Sequence, residues 1–279
     1  MRKTQRRSAA VKIGAQTNRS SAISASNETT ILVRGRDLVQ ELVGNVSFTD
    51  HFWLLVTGQP PSAAQRRVLD ATLVAIAEHG LVPSVQVSRM TLAAAPEALQ
   101  GAVAAGILGC GSVVLGSSEA AGIFYSQIAD YSKEGAAAED AVTKVIEEYR
   151  RSRRAIPGYG HPLHKEADAR ALRLLQIAEE VGLTGQFVSI ARLVESCLPR
   201  VLGKPLALNV SGAIPAVLLD AGYPLQALKG VPILARTAGL IAHLLEEQQQ
   251  PIGFVMSHAA AGAVDYSGPA PAGFKRTDG

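Results

Sequence analysis

The sequence predicts an all-α protein, and three observations support that prediction. Aromatic residues make up only 5% of the 279 residues, and Ala and Leu dominate the apolar remainder, which favours packed helices over sheets. Apolar residues recur at helical spacing through most of the chain, in segments that Gly and Pro residues separate. The sequence shows neither an internal repeat nor an alternation of strands with helices, so an α/β architecture is not expected.

The first predicted element is a short β-type run at residues 31–33, after which helical spacing takes over. Asp37 can cap a helical segment at 38–43, and the segment that begins at Ser47 can open a helix at 52–57. Ser62 can cap a longer helix at 63–79, and a turn at 80–84 follows it.

The rest of the chain continues the helical pattern. Further helices are predicted at 96–108, 118–132, 137–154, 165–181, 189–202, 210–221 and 224–249. Pro232 lies inside the last of these and is expected to kink or split it. The residues from Pro251 onward are expected to be irregular, because they end in a Gly/Pro-rich stretch.

Charge is unevenly distributed along the chain. Residues 1–27 carry six basic residues and no acidic one, so a total of +3 divides into +6 there and −3 in the rest. Residues 1–30 are predicted to form a basic flexible tail that is free or grips a partner; a transit peptide is the alternative. Because the body is mildly acidic, no nucleic-acid binding is expected. No apolar run reaches 18 residues, so no membrane partner is expected either.

The cysteine and histidine patterns argue against disulfides and metals. Cys110 and Cys197 lie in apolar surroundings with no pairing signal, which favours a reducing, cytoplasmic location. His161 and His164 have a spacing that metal ligands also use. Pro162 lies between them and no Cys or carboxylate cluster is near, so no metal site is predicted.

Residues 156–170 are the strongest candidate for chemistry. Their sequence is Ile-Pro-Gly-Tyr-Gly-His-Pro-Leu-His-Lys-Glu-Ala-Asp-Ala-Arg. Two glycines allow a tight turn that presents His161 just before a predicted helix, with Lys165 and Arg170 close in sequence. That arrangement suits proton transfer to an anionic substrate. The alternative is a structural turn with a surface His.

The same residues resemble the citrate synthase superfamily pattern of Gly-x-Gly-His followed by Lys and Asp-Pro-Arg. Blocks at 31–38 with 47–62, at 78–84 with Arg89, at 206–214 and at 234–243 resemble other blocks of that family in the same order. The block Leu-Ala-Leu-Asn-Val-Ser-Gly-Ala-Ile at 206–214 is closest to the citryl-CoA-cleaving branch, which includes the C-terminal part of ATP-citrate lyase.

This resemblance implies a helical fold with an active site between two domains. The large domain would comprise residues 31–121 and 215–279, and the small domain residues 122–214. The family usually completes its site by dimerisation, so a homodimer or a dimer of dimers is expected.

The resemblance also implies carbon–carbon bond chemistry on small-molecule acyl-CoA and di- or tricarboxylate substrates. The expected reaction is cleavage of citryl-CoA to acetyl-CoA and oxaloacetate, with CoA thioester as substrate and no tightly bound cofactor. His161 matches the His that serves the substrate oxygen. The matching substrate-binding residues are His79, Arg170, Asn209 and Arg236. Lys204 lies near where the family brings in the thioester, and could meet a CoA phosphate or simply be solvated.

Three departures from the family pattern leave the activity open. Leu115 occupies the position of the enolate-stabilising His, as an apolar residue does in ATP-citrate lyase relatives, and Pro162 replaces an Arg. Ser211 occupies the position of the catalytic Asp, and losing a positioned base costs about 10²–10⁴-fold. Glu119 could stand in as the missing carboxylate, or simply stabilise a helix N-terminus.

The departures permit three functions. The first is a citryl-CoA lyase-like enzyme, in which Ser211→Asp would raise the rate if Ser211 alone limits the site. The second is a divergent enzyme that acts on another acyl-CoA and keto-acid pair. The third is a non-catalytic CoA-binding relative.

Overall fold

The computed structural model describes residues 19–111, 115–160 and 167–274, and internal contacts divide the chain into two units, residues 1–60 and 61–279. The prediction of an all-α fold is confirmed, with one small sheet in the first unit. The predicted large and small domains do not coincide with these two units, and that predicted partition stays a prediction.

The first unit contains a three-stranded antiparallel sheet, formed by β1 (Ser24–Ser26), β2 (Ile31–Val33) and β3 (Arg36–Asp37). Leu32 of β2 pairs with Ala25 on one side and with Asp37 on the other. The β-type run predicted at 31–33 is therefore the central strand. Strand β1 lies inside the segment predicted as a flexible tail, so part of that segment belongs to the sheet.

Two helical elements complete the first unit. A π-helical turn, Leu38–Leu42, follows Asp37, whose carboxylate accepts the N–H groups of Val39 and Gln40. Helix α1 (Phe48–Thr57) begins four residues earlier than predicted, because Ser47 caps it directly in a capping box with Asp50. Val33, Leu42 and Leu54 form a small buried cluster beneath these elements.

The second unit consists of helices joined by short connections. They are α2 (Ala63–Ala77), α3 (Pro83–Ala94), α4 (Leu99–Leu108), α5 (Ser117–Lys133), α6 (Ala138–Arg151), α7 (Ala169–Glu180), α8 (Gln186–Leu202), α9 (Val210–Asp220), a 3-10 turn (Leu225–Ala227), α10 (Gly230–Gln249) and α11 (Gly253–Gly262). Ser62 caps α2 as predicted. Pro232 lies in the first turn of α10, where a helix tolerates proline, and the break predicted there falls just before Gly230.

Two helices were not predicted from the sequence. Helix α3 begins at Pro83, inside the predicted turn, and contains residues of modest helix propensity, so its packing against α4 stabilises it. The Ser88 hydroxyl donates to the Ala102 carbonyl at 2.6 Å across that contact. Helix α11 lies in the stretch that was predicted to be irregular. The sequence pattern missed it because the group that caps it belongs to α10: the Glu247 carboxylate accepts the Gly253 N–H at 2.7 Å.

Helices α9 and α10 form the centre of the second unit. Helix α9 is buried over most of its length and packs against α2, α5, α7 and α8. Helix α10 packs against α2, α3 and α4. Gly239 of α10 lies so close to α2 that a Cβ at this position would overlap the Ala77 carbonyl oxygen. The end of α2 is therefore held tightly against α10.

By length and composition alone, one segment of the described residues, Leu225–Gln249, is long and apolar enough to cross a membrane, with a mean hydropathy of 1.3. Most of this segment is α10, in which Val231, Leu240 and Leu244 are buried among neighbouring helices. A core helix of this kind has the same composition as a membrane span.

Candidate active site

A cavity of about 520 Å³ lies within the second unit, where the end of α2 and the starts of α3, α5, α7, α9 and α10 meet the segment 156–160. It brings together residues from every predicted block of this unit. The predicted site residues that line it are His79, Arg170, Asn209, Ser211 and Arg236, together with Leu115. Their roles stay predictions, but their positions converge.

Arg236 is the most unusual charge in this cavity. Its side chain is only 3% exposed, and its Nε and Nη1 atoms have no hydrogen-bond partner among the described residues. A buried cation without a counter-ion is costly, because it loses hydration and gains no compensating interaction. The cavity therefore has the charge that an anionic ligand would require at Arg236.

Arg170 is held at the start of α7 by Asp168. Its Nε and Nη2 atoms donate to the two Asp168 oxygens at 3.0 and 2.9 Å, which leaves Nη1 for a ligand. Asp168 is buried and also accepts the Val210 N–H at 3.0 Å, so it joins the starts of α7 and α9. Burial alone would raise the pKa of Asp168, but the hydrogen bonds from Arg170 and Val210 lower it below the ordinary value.

His79 lies just after α2, in a turn that a residue of α10 contacts. The carboxylate of the preceding residue, Glu78, accepts the Gly80 N–H and lies 2.9 Å from Nε2 of His243 on α10. Burial raises the pKa of Glu78, but these hydrogen bonds lower it below its ordinary value overall. Because Gly239 also lies against Ala77, the end of α2 that precedes His79 is close to α10, which carries Arg236.

Asn209 caps α9 and supports the wall of the cavity. Its Oδ1 accepts the N–H groups of Ser211 and Gly212 at 3.0 and 3.3 Å, and its Nδ2 donates to the Gly160 carbonyl at 2.7 Å. Most of its hydrogen-bonding capacity is thus used within the protein. The substrate-binding role predicted for Asn209 stays a prediction, while the structure shows a helix cap and a tie to the segment 156–160.

The segment 156–160 forms one wall of the cavity. Tyr159 pairs with Leu208 in an isolated antiparallel bridge, and the Asn209 N–H donates to the Gly158 carbonyl at 3.0 Å. Gly158 has a φ of +86°, and a Cβ there would lie 2.6 Å from the Gly212 Cα. Only glycine permits this approach.

The predicted catalytic His161 follows this segment directly in sequence. It lies outside the described residues, as do His164 and Lys165.

The start of α5 supplies an interaction that sequence reasoning missed. Leu115 lines the cavity with a φ of 68°, which is unusual for a residue with a branched side chain. Two residues later, the Ser117 hydroxyl donates to the Ser211 hydroxyl at 2.9 Å, and both side chains line the cavity. Glu119, the proposed substitute carboxylate, is not among the described residues that line it.

A second cavity, of about 410 Å³, is strongly basic and contains the predicted CoA ligand Lys204. Its other basic residues are Arg150, Arg153 and Arg154. They were not predicted as ligands, although a cluster of basic residues in the sequence could have indicated an anion-binding site. Ile156 and Tyr159 line both cavities, so the two cavities are adjacent.

These features define an all-α protein in which a cavity that contains a buried arginine, unpartnered at Nε and Nη1 in the part of the chain that the structure describes, lies beside a second, basic cavity. The family model "Citrate synthase, C-terminal domain" matches residues 3–253, and the chain belongs to the citrate synthase family, which confirms the resemblance in the sequence blocks. No curated protein sequence matches the chain.

Three solved structures illustrate the similarity. Citryl-CoA lyase from Hydrogenobacter thermophilus is 32% identical over 92% of this chain and 97% of its own, with a TM-score of 0.80. ATP citrate lyase from Methanosaeta concilii, solved with (3S)-citryl-CoA, is 20% identical over 91% of this chain and 42% of its own, with a TM-score of 0.70. Citrate synthase from Thermoplasma acidophilum, solved with carboxymethyl-CoA and oxaloacetate, is 19% identical over 82% and 59%, with a TM-score of 0.64. At these identities the last two show the fold alone.

Proposed function

We propose that this chain is a citryl-CoA lyase, which cleaves citryl-CoA to acetyl-CoA and oxaloacetate. The buried Arg236, whose Nε and Nη1 have no partner in the described part of the chain, is the observation on which the proposal depends. Arg170 and His79 line the same cavity, so a substrate with several carboxylates fits its charge. The 32% identity to a citryl-CoA lyase over nearly the whole of both chains supports the same reaction.

The reaction needs few groups from the protein. A base takes the proton of the tertiary hydroxyl, the carbon–carbon bond breaks, and a ketone forms on the oxaloacetate side. The bonding pair moves into the thioester as an enolate, which then takes a proton at carbon. We assign the base to His161 from the sequence, and we assign the carboxylates to Arg170 and Arg236, which pair with them through the guanidinium N–H groups that the protein leaves available.

The CoA portion would occupy the basic cavity. Phosphate groups pair with guanidinium and ammonium groups, which Arg153, Arg154 and Lys204 supply there. Ile156 and Tyr159 line both this cavity and the one that contains Arg236, so the two cavities are adjacent. A molecule with a phosphate-bearing arm and a carboxylate-bearing head suits the pair of cavities, and CoA acts as part of the substrate.

The test of the reaction is a direct assay. Purified protein is supplied with citryl-CoA, and oxaloacetate and free acetyl-CoA are measured over time. His161→Ala is expected to lower the rate by about 10²–10⁴-fold, because a positioned base is lost. His258→Ala is the matched control, since His258 is exposed on α11. Full activity in His161→Ala would contradict the assigned role, and no oxaloacetate from the wild type would contradict the reaction.

The CoA assignment makes a separate prediction. Lys204→Ala combined with Arg153→Ala is expected to raise KM for citryl-CoA by about 10-fold at low salt with little change in kcat, because two solvent-exposed phosphate contacts are lost. The difference from the wild type should shrink as salt is added. Lys133→Ala removes an exposed charge elsewhere and serves as the control. Equal KM and equal salt dependence in both variants would exclude the basic cavity as the CoA site.

A second candidate function follows from the residues that replace the family's usual ones. Leu115 and Ser211 line the cavity where a His and an Asp would be expected, which favours a divergent enzyme for another acyl-CoA and keto-acid pair. A panel of 3-hydroxyacyl-CoA esters distinguishes the two functions. Preference for citryl-CoA supports the lyase, preference for another ester supports the divergent enzyme, and no turnover of any ester indicates a non-catalytic CoA-binding relative.

A further inference from the structure

We propose that the Ser117–Ser211 pair holds the enolate oxygen of the acetyl thioester while the carbon–carbon bond breaks, a role that rests on the proposed lyase function. Ser117 is the first residue of α5, and Ser211 is the second residue of α9. They are 94 positions apart in sequence, yet their hydroxyl oxygens are 2.9 Å apart on the cavity wall.

The direction of this hydrogen bond makes Ser211 a donor to the cavity. Ser117 donates its proton to the Ser211 oxygen, so the Ser211 proton is available for a second acceptor. A hydroxyl that already accepts a hydrogen bond is polarised and donates more strongly. The pair therefore suits an oxygen on which negative charge develops.

The charge of the surroundings supports a donor role over a base role. The described residues that line the cavity include Arg170 and Arg236 but no Asp or Glu. Arg236 is buried with Nε and Nη1 unpartnered in the described structure, which independently indicates an anionic occupant. Helix α5 also begins in this wall without a side-chain cap, so its first N–H groups favour negative charge nearby.

The chemical step balances with these groups. The base removes the hydroxyl proton, the bond between the carbinol carbon and the thioester's α-carbon breaks, and its electron pair becomes the enolate. The negative charge falls on the thioester oxygen, to which Ser211 donates a hydrogen bond. Water then protonates the α-carbon, and the proton on the base returns to water. In this scheme the Ser pair performs the stabilising function that Leu115 cannot perform.

The first part of the test measures the rate. Ser211→Ala is expected to lower kcat for citryl-CoA by about 10²–10³-fold with little change in KM, as the loss of an oxyanion donor does. Ser117→Ala is expected to lower kcat less, and the double variant should be no slower than Ser211→Ala. Ser196→Ala, an exposed serine on α8, is the control. Thermal unfolding of each variant establishes that the fold is retained.

The Ser211→Asp variant distinguishes two roles of Ser211: a hydrogen-bond donor, or a residue that merely replaces a lost catalytic base. A carboxylate there would lie beside the developing enolate charge, so we expect it to be at least as slow as Ser211→Ala. A rate above the wild type would overturn the proposal, because Ser211 would then only mark an absent base. An unchanged kcat in Ser211→Ala would overturn it as well.

The second part of the test does not require turnover. Carboxymethyl-CoA carries its carboxylate on the second carbon from sulfur, so its charged oxygens lie next to the position of the enolate oxygen, whereas CoA carries no oxygen there. In the presence of oxaloacetate, Ser211→Ala is expected to weaken binding of carboxymethyl-CoA by at least about 10-fold and to leave binding of CoA unchanged. If Ser211→Ala weakens binding of carboxymethyl-CoA and of CoA equally, or leaves both affinities unchanged, the proposed role of the Ser117–Ser211 pair is wrong. If the wild type does not cleave citryl-CoA but this selective loss occurs, the lyase reaction fails while the oxygen-binding role stands.

Discussion

Replacing Arg236 by Met is expected to weaken binding of oxaloacetate or citrate by about 100-fold or more, because a buried charge partner of the carboxylate is lost. Isothermal titration calorimetry measures the affinity without requiring turnover. Arg151→Met is the matched control, since Arg151 is an exposed arginine on α6. Unchanged affinity in Arg236→Met would show that the anion binds elsewhere.

The same substitution is expected to stabilise the free protein by about 1–3 kcal/mol, because Met fills similar volume without a buried charge. The 3% exposure of Arg236 and the unpartnered Nε and Nη1 in the described residues are the reason. Urea unfolding in the absence of ligand measures this gain. Stability and binding would then change in opposite directions, as they do where a functional site is kept under strain. A loss of stability would mean that Arg236 has a structural partner.

Replacing Arg89 by Met is expected to destabilise the protein by about 3–5 kcal/mol, because a buried carboxylate loses its partner. Arg89 is 2% exposed and its Nε lies 2.6 Å from Glu247, which is 3% exposed. Its Nη1 also pairs with Glu246, and its Nη2 donates to the Gln250 carbonyl at 3.1 Å. This network joins α3 to the end of α10, where Glu247 also caps α11.

The matched control for this prediction is Arg192→Met. Arg192 pairs with Glu179 on the surface, with about half of each side chain exposed, so its loss should cost less than about 1 kcal/mol. Equilibrium unfolding in urea compares the two variants. If they cost the same, the buried network contributes nothing beyond a surface pair.

The pH dependence of stability gives a second measure of the network. Burial raises the pKa of Glu247, but the hydrogen bonds from Arg89 and from the Gly253 and Ile252 N–H groups lower it below its ordinary value. A carboxylate with a depressed folded-state pKa contributes stability above its unfolded pKa, and loses it as the pH falls through the folded value. Part of the acid-induced loss of stability should therefore disappear in Arg89→Met.

Local sequence signals predicted much of the fold. Asp37, Ser47 and Ser62 begin helical elements because their side chains cap the next residues, which a sequence pattern can reveal. Helix α11 escaped prediction because its cap, Glu247, belongs to the preceding helix. His79, Arg170 and Arg236 each lie within a recognisable block, and all three line one cavity, while their roles stay predictions.

Other parts of the site could not be predicted, since they depend on distant residues meeting in space. The Ser117–Ser211 hydrogen bond joins two helix starts that no local pattern connects. No local pattern indicated that the Asn209 side chain also donates to the Gly160 carbonyl while it caps α9, and its predicted substrate-binding role stays a prediction. Helix α3 depends on its packing against α4, which its own sequence does not specify.

The close approach of Gly158 to Gly212 limits which walls of the cavity can change through evolution. Any side chain at either position would push the segment 156–160 away from α9, and with it the wall that both cavities share. Changes in cavity size are therefore expected at lining residues outside this contact, such as Val82 and Leu115. Laboratory libraries aimed at new acyl groups would be best concentrated on those two positions, with the glycines left unchanged.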